Sequence, residues 1–289
     1  HLQIALYLGV TFLAAGLGIL IYKNISNIGH ITVVSATGIL SLACFVYCFL
    51  QSKPFTFERS VHPSVWFDYM LLLGSLLLVT FIGYLQFEFK FFGEQYGLAT
   101  FITCVILFAA AYYFDHLGVL SMAIVLLGSW MGIAVAPVDL FQQNDFSSSR
   151  FIYTAFLLAI LLGVASYLTH LKQIKKHFYF TYLNFAVHIG FVAALCGLFT
   201  MDIWWLWTPV IGMMFYSCYK YAMQQKSFYI LLVSGLYSYI ALSYLITRLV
   251  IDDNFSGVSA TYFLLFYYIL SAIMLIKYLR QFKKEIHNL

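Results

Sequence analysis

Residues 31–50, ITVVSATGILSLACFVYCFL, run without a single charged side chain. A helix rises about 1.5 Å per residue, so a run of this length covers the roughly 30 Å of a bilayer's hydrocarbon. Backbone N–H and C=O groups find no water at that depth. The run must therefore pair them internally, as a helix. The neighbouring sequence repeats the pattern. Further apolar runs lie at 3–22, 65–86, 97–114, 117–136, 151–170, 178–199, 203–223, 228–250 and 260–280. Together they take up most of the 289 residues and leave nothing between them the size of a soluble domain. The expected fold is all-α: a polytopic transmembrane bundle of about ten spans, forming a single domain over 1–289.

Composition agrees. Hydrophobic residues make up 63% of the chain and charged ones 9%, where soluble domains carry about 25%. Mean hydropathy is +0.90. The net charge of +4 would suggest nucleic acid in a soluble protein. In this chain the basic residues fall in membrane-flanking loops, where topology accounts for them. Membrane lipid is the expected partner, with a protein partner or a second copy as a further expectation, and no nucleic acid.

Charge also sets orientation. With ten spans, Lys53, Arg59, Lys172, Lys175, Lys176, Lys220, Lys226, Lys277, Arg280, Lys283 and Lys284 share one side. Only Lys23, Lys90, Arg150 and Arg248 fall on the other. The positive-inside rule then puts both termini in the cytoplasm. The short connection at Asp115-His116 is the weak point, because one bent helix there would make nine spans and blur this separation. Ser64 is placed to cap the third span, with Asp68 in its first turn. The loop 137–150 divides the chain into halves 1–136 and 151–289 and is expected outside the cytoplasm. Five spans per half would make the halves inverted, as in many secondary transporters, although no residue-level similarity links them. The chain opens on His1-Leu2-Gln3 and enters an apolar run at once, so a natural start is expected to precede it.

Few polar groups interrupt the spans. Ionisable residues at membrane depth mark candidate functional sites. Thr181, Asn184 and His188 share one face of the seventh span, with His188 near the midplane. They read either as a substrate contact or proton relay, or as a histidine hydrogen-bonded to a neighbouring helix. Ser234, Tyr237, Ala241, Tyr244 and Arg248 form a stripe on the ninth span. That stripe reads as a cavity wall or as an interhelical seam. Asp68, Asp115 and His116 are expected to make surface ion pairs, and 172–177 (Lys-Gln-Ile-Lys-Lys-His) a membrane-flanking anchor. Gly128, Gly132 and Ala136, and Gly190, Ala193, Ala194 and Gly197, have the small-residue spacing of close helix packing. Cys44, Cys48, Cys104, Cys196 and Cys218 all lie inside apolar runs and read as reduced core fillers.

No HExxH, GxSxG or phosphate-loop lysine motif occurs, so no catalytic residue, metal or cofactor is expected and the chain reads as a non-enzyme.

Several strings resemble a known family. They are LYLGVTFLAAGLGILIYKNISNIGH (6–30), FDYMLLLG (67–74), FIGYLQF (81–87), YGLATF (96–101), YYFDHLGVLS (112–121), PVDLFQQNDF (137–146) and SYIALSYLITRL (238–249). The chain resembles the bacterial membrane proteins of domain-of-unknown-function family 2157, most of all Bacteroidetes-type members. The resemblance implies a multi-pass protein of the bacterial cytoplasmic membrane and carries no reaction, ligand or site residue with it. Two functional expectations remain. One is a transporter-like protein for a small molecule or lipid. The other is a non-catalytic scaffold or accessory subunit.

Overall fold

The computed structural model describes residues 29–52, 54–58, 64–135, 149–252 and 257–288, with six isolated helical positions between 9 and 19. The described residues form nine helices and no strand: α1 His30–Gln51, α2 Val65–Phe89, α3 Tyr96–Phe114, α4 Leu117–Val135, α5 Ser149–Lys172, α6 Phe178–Thr200, α7 Trp204–Gln225, α8 Phe228–Asp252 and α9 Gly257–Asn288. Seven of them are long and apolar enough to cross a membrane, consistent with a helical membrane bundle. α4 falls short of that length over its apolar part, 117–132, and α7 is less apolar than the seven. The run 3–22 and the loop 137–150 lie for the most part outside the described residues.

The chain forms two compact units. The first comprises 1–144 and 164–183, the second 145–163 and 184–289. In the first, α1 packs on α2, and α3 packs on both α2 and α4. The α1 residues that face the core, Val33, Val34, Thr37, Ser41, Cys44 and Cys48, recur every three or four positions, as one helical face requires. Gly74 of α2 comes so close that a Cβ there would lie 2.9 Å from the Cβ of Cys44. The Ser41 hydroxyl donates to the Gly74 carbonyl at 2.9 Å. Ser64 does cap α2, accepting from the Phe67 amide at 3.3 Å, with Asp68 in the first turn. At the other end of α2, the buried Gln86 side chain holds the turn to α3. Its amide donates to the Gly93 carbonyl at 2.7 Å, and its oxygen accepts from the Phe92 amide at 2.9 Å. Beside it, the Glu94 carboxylate hydrogen-bonds Lys90 and pushes that ammonium above its ordinary pKa. Both groups are exposed, so the pair adds little stability.

Asp115 and His116 break the helix between α3 and α4. Asp115 sits in the left-handed region at φ 61 and ends α3. The His116 amide then reaches back to the Ala111 carbonyl at 3.1 Å. His116 Nδ1 accepts from the amides of Gly118 and Val119 at 3.1 and 3.2 Å, which caps the start of α4. A histidine thus does what a serine or aspartate usually does at a helix start.

In the second unit α8 packs on α7 and α9. The small residues of α6 serve close approach. A Cβ on Gly190 would meet Met214 at 2.7 Å, and a Cβ on Gly197 would fall inside the Trp207 indole. Phe156 packs edge-on against that same indole. Gly197→Ala is therefore expected to cost about 1–3 kcal/mol of stability through overpacking. Gly212→Ala, where the added methyl meets nothing within 4 Å, is expected to leave stability unchanged or slightly raised. Thermal unfolding of the two variants in one detergent checks the contrast.

Candidate functional site

His188 is the eleventh residue of the 23 in α6 (188 − 178 + 1), and so lies at mid-helix. Both of its ring nitrogens are engaged by α8. Nδ1 lies 2.9 Å from the Tyr237 hydroxyl and Nε2 lies 3.0 Å from the Tyr229 hydroxyl. Tyr229 in turn donates to Asn184 Oδ1 at 2.9 Å. These contacts fix the direction of two of the three bonds. A phenol has one proton, and Tyr229 has given its own to Asn184, so it must accept from His188. Nε2 of His188 therefore carries a proton, and Nδ1 is paired with the Tyr237 hydroxyl. The row runs Tyr237, His188, Tyr229, Asn184.

That order limits the chemistry. The chain ends on a carboxamide oxygen, which does not take up a proton near neutral pH, so the row makes a poor proton conductor. The amide N–H groups of Asn184, which lies one turn from His188 and is half-buried, remain as donors. Tyr229 is 43% exposed. The arrangement suits holding a hydrogen-bond acceptor better than moving a proton.

The other residues marked by the sequence divide. Thr181 lies on α6 but takes no place in the row. Ser234, fully buried, donates back to the Ile230 carbonyl of its own helix at 2.8 Å. Tyr237 and Tyr244 both face α6. Tyr237 stacks on Phe191 with centroids 5.3 Å apart, and Tyr244 donates to the Phe199 carbonyl at 3.4 Å. The α8 stripe is therefore an interhelical seam. Arg248 lies over the Trp204 ring at 4.6 Å. Tyr229 was not marked by the sequence. It begins α8 well away from the stripe, and only the length of a tyrosine brings its hydroxyl alongside His188.

A second polar cluster belongs to the first unit, and it corrects the expectation of surface ion pairs. The side chains of Asp115 and Lys175 are each 1% exposed and meet at 3.2 Å. His177 Nε2 approaches the same Asp115 oxygen at 2.7 Å. His116 Nε2 faces Asp68 at 4.0 Å. Lys175 comes from a segment read as a membrane-flanking anchor. The physical reason it turns inward is local. Gln173 and Lys175 both adopt left-handed backbone, φ 54 and 48, which reverses the chain between α5 and α6. Lys175 Nζ also donates to the Glu58 carbonyl at 3.3 Å and lies over the Phe55 ring. The Lys175 amide donates to the Phe57 carbonyl at 2.9 Å. The segment 54–58 is thereby held on this cluster. Among the described residues no group of three histidines, cysteines or acids is arranged to hold a metal. The cysteines are free thiols.

The chain matches no protein-family model, no curated protein and no solved structure.

Removing one member of a buried ion pair strands the other, at about 3–5 kcal/mol. Lys175→Met alone is expected to destabilise by that order. The pair Asp115→Asn with Lys175→Met is expected to recover at least half of the loss, since asparagine tolerates left-handed backbone. Denaturation midpoints of the single and double variants measure this.

Proposed function

We propose that this chain is a transporter-like multi-pass protein of the bacterial cytoplasmic membrane, built on about ten spans with both termini in the cytoplasm. The observation that carries the reading is the directional row through His188, which leaves the donors of Asn184 open at mid-helix. A polar residue in a membrane span is costly and is retained where it contacts substrate or partner. The ligand class that matches is a small molecule or lipid offering a carbonyl or phosphate oxygen to an amide. Tyr237, His188 and Tyr229 would hold Asn184 in place for that contact. A 5+5 inverted arrangement of halves and kinship with family 2157 belong to the same proposal. They rest on span parity and on the strings given above.

A second reading, a scaffold or accessory subunit, is favoured by α9. Its window Ser259–Lys283 is only 6% buried. Tyr262, Phe263, Phe266, Ile269 and Ile273 stand exposed along it. Such a face suits lipid or a partner helix.

The two readings separate by thermal stability in detergent. A ligand that binds only the folded state stabilises it by about 2.7 kcal/mol at a hundred times its Kd. In a screen of small polar metabolites and lipids, at least one class is expected to raise the Tm of the wild type. That rise should be absent in Asn184→Ala and reduced in Tyr229→Phe. If no compound shifts the wild type and a stoichiometric protein partner co-purifies in mild detergent, the transporter reading gives way to the scaffold.

A further inference from the structure

A cavity of about 440 Å³ opens between α8 and α9 in the second unit, apart from the His188 row. On the α9 side its wall runs from Tyr267 through Ser271, Met274 and Tyr278 to Phe282, with Gly235 and Leu242 opposite on α8. Two pairs of polar groups meet across its upper part, and the Ser238 hydroxyl in the same wall is buried without a hydrogen bond. Tyr239 and Ser271 hydroxyls meet at 3.0 Å, and Ser243 and Tyr267 hydroxyls at 3.2 Å. The space left between them is apolar. The sixteen residues of α9 from Tyr267 to Phe282 extend over roughly 22 Å, longer than the about 15 Å of half a bilayer's hydrocarbon. The groove is therefore long enough to take an acyl chain of one leaflet.

Its lower end is basic. Phe282 and Leu231 line the groove and also belong to a core cluster in which Ala222, Ile230, Tyr219 and Phe228 join the ends of α7, α8 and α9. That packing gathers cations around the groove's mouth. Lys283 Nζ lies over the Phe228 ring at 5.9 Å. Lys226 caps the C-terminus of α7 two residues before Phe228, and Lys220 is on its last turns. Lys220, Lys226, Arg280 and Lys283 are all exposed, and no acid lies between 203 and 251. A basic mouth on an apolar slot complements an anionic head on a hydrocarbon chain.

We propose that this groove is a binding site for an anionic phospholipid, with one acyl chain between α8 and α9 and the phosphate at Lys226 and Lys283. The inference does not rest on the reading of His188. Basic residues at a membrane surface attract anionic lipid with an affinity that grows with each added cation. The groove adds a fixed place for the chain.

The test uses the full chain, delipidated in detergent and titrated with phosphatidylglycerol or phosphatidylcholine, with bound lipid counted by native mass spectrometry. The wild type is expected to hold one phosphatidylglycerol in preference to phosphatidylcholine by about tenfold. Lys226→Gln with Lys283→Gln should remove the preference and leave phosphatidylcholine binding as it was. Gly235→Leu should fill the groove and abolish retention of both. A Cβ at Gly235 meets only the Leu279 side chain, at 3.9 Å, so this variant has room to fold. Equal retention of the two lipids by the wild type overturns the proposal without recourse to any variant. So does unchanged retention by folded Gly235→Leu, or competition by glycerol phosphate lacking acyl chains.

Discussion

Hydrocarbon's intolerance of an unpaired polar group governs this structure more than any single contact. The helices answer the backbone part of that demand by themselves. Side-chain hydroxyls answer it mostly by folding back on their own helix. Thr37, Ser75, Thr80, Thr103, Ser121, Ser129 and Ser234 each donate to the carbonyl four residues earlier. A residue that closes its own bond in this way needs no neighbour and signals no site. The informative groups are those that reach across to another helix, among them His30 with Tyr84, Ser41, Tyr112 with Tyr182, Ser166, Tyr244, the His188 row, and the hydroxyl pairs between α8 and α9.

This distinction explains what could be read from sequence. Hydrophobic run length depends on residues taken one at a time, and eight of the nine described helices fall within a few residues of the runs at 31–50 through 228–250, while α9 continues to Asn288, eight residues past the run that ends at 280. The cap at Ser64 and the break at Asp115-His116 were also legible, because turn chemistry is local. Asn184, His188 and Tyr237 were legible as polar positions on faces of their helices. Tyr229 was not, because α8 carries many tyrosines and only the packing of α6 on α8 selects this one. Lys175 was misread for a related reason. Six residues with three lysines and a histidine look like a solvated anchor, and nothing in their order announces that two left-handed positions will turn one lysine inward.

The two polar clusters differ in charge as well as place. The charged one lies where helices end. Asp115 terminates α3, Lys175 sits in the connection before α6, and His116 opens α4. The cost of a charge falls steeply away from the centre of a bilayer, and at a helix end unpaired backbone groups are also present to help solvate it. The cluster around His188 contains phenols, an amide and an imidazole, with no acid in the row. Its last member is a carboxamide, whose oxygen accepts from Tyr229 and whose N–H groups can donate. A row that ends on an amide is poorly suited to pass protons onward and suited to recognise an accepting group. In the transporter-like reading, the amide of Asn184, rather than the more conspicuous imidazole, is therefore the residue on which substrate contact would turn.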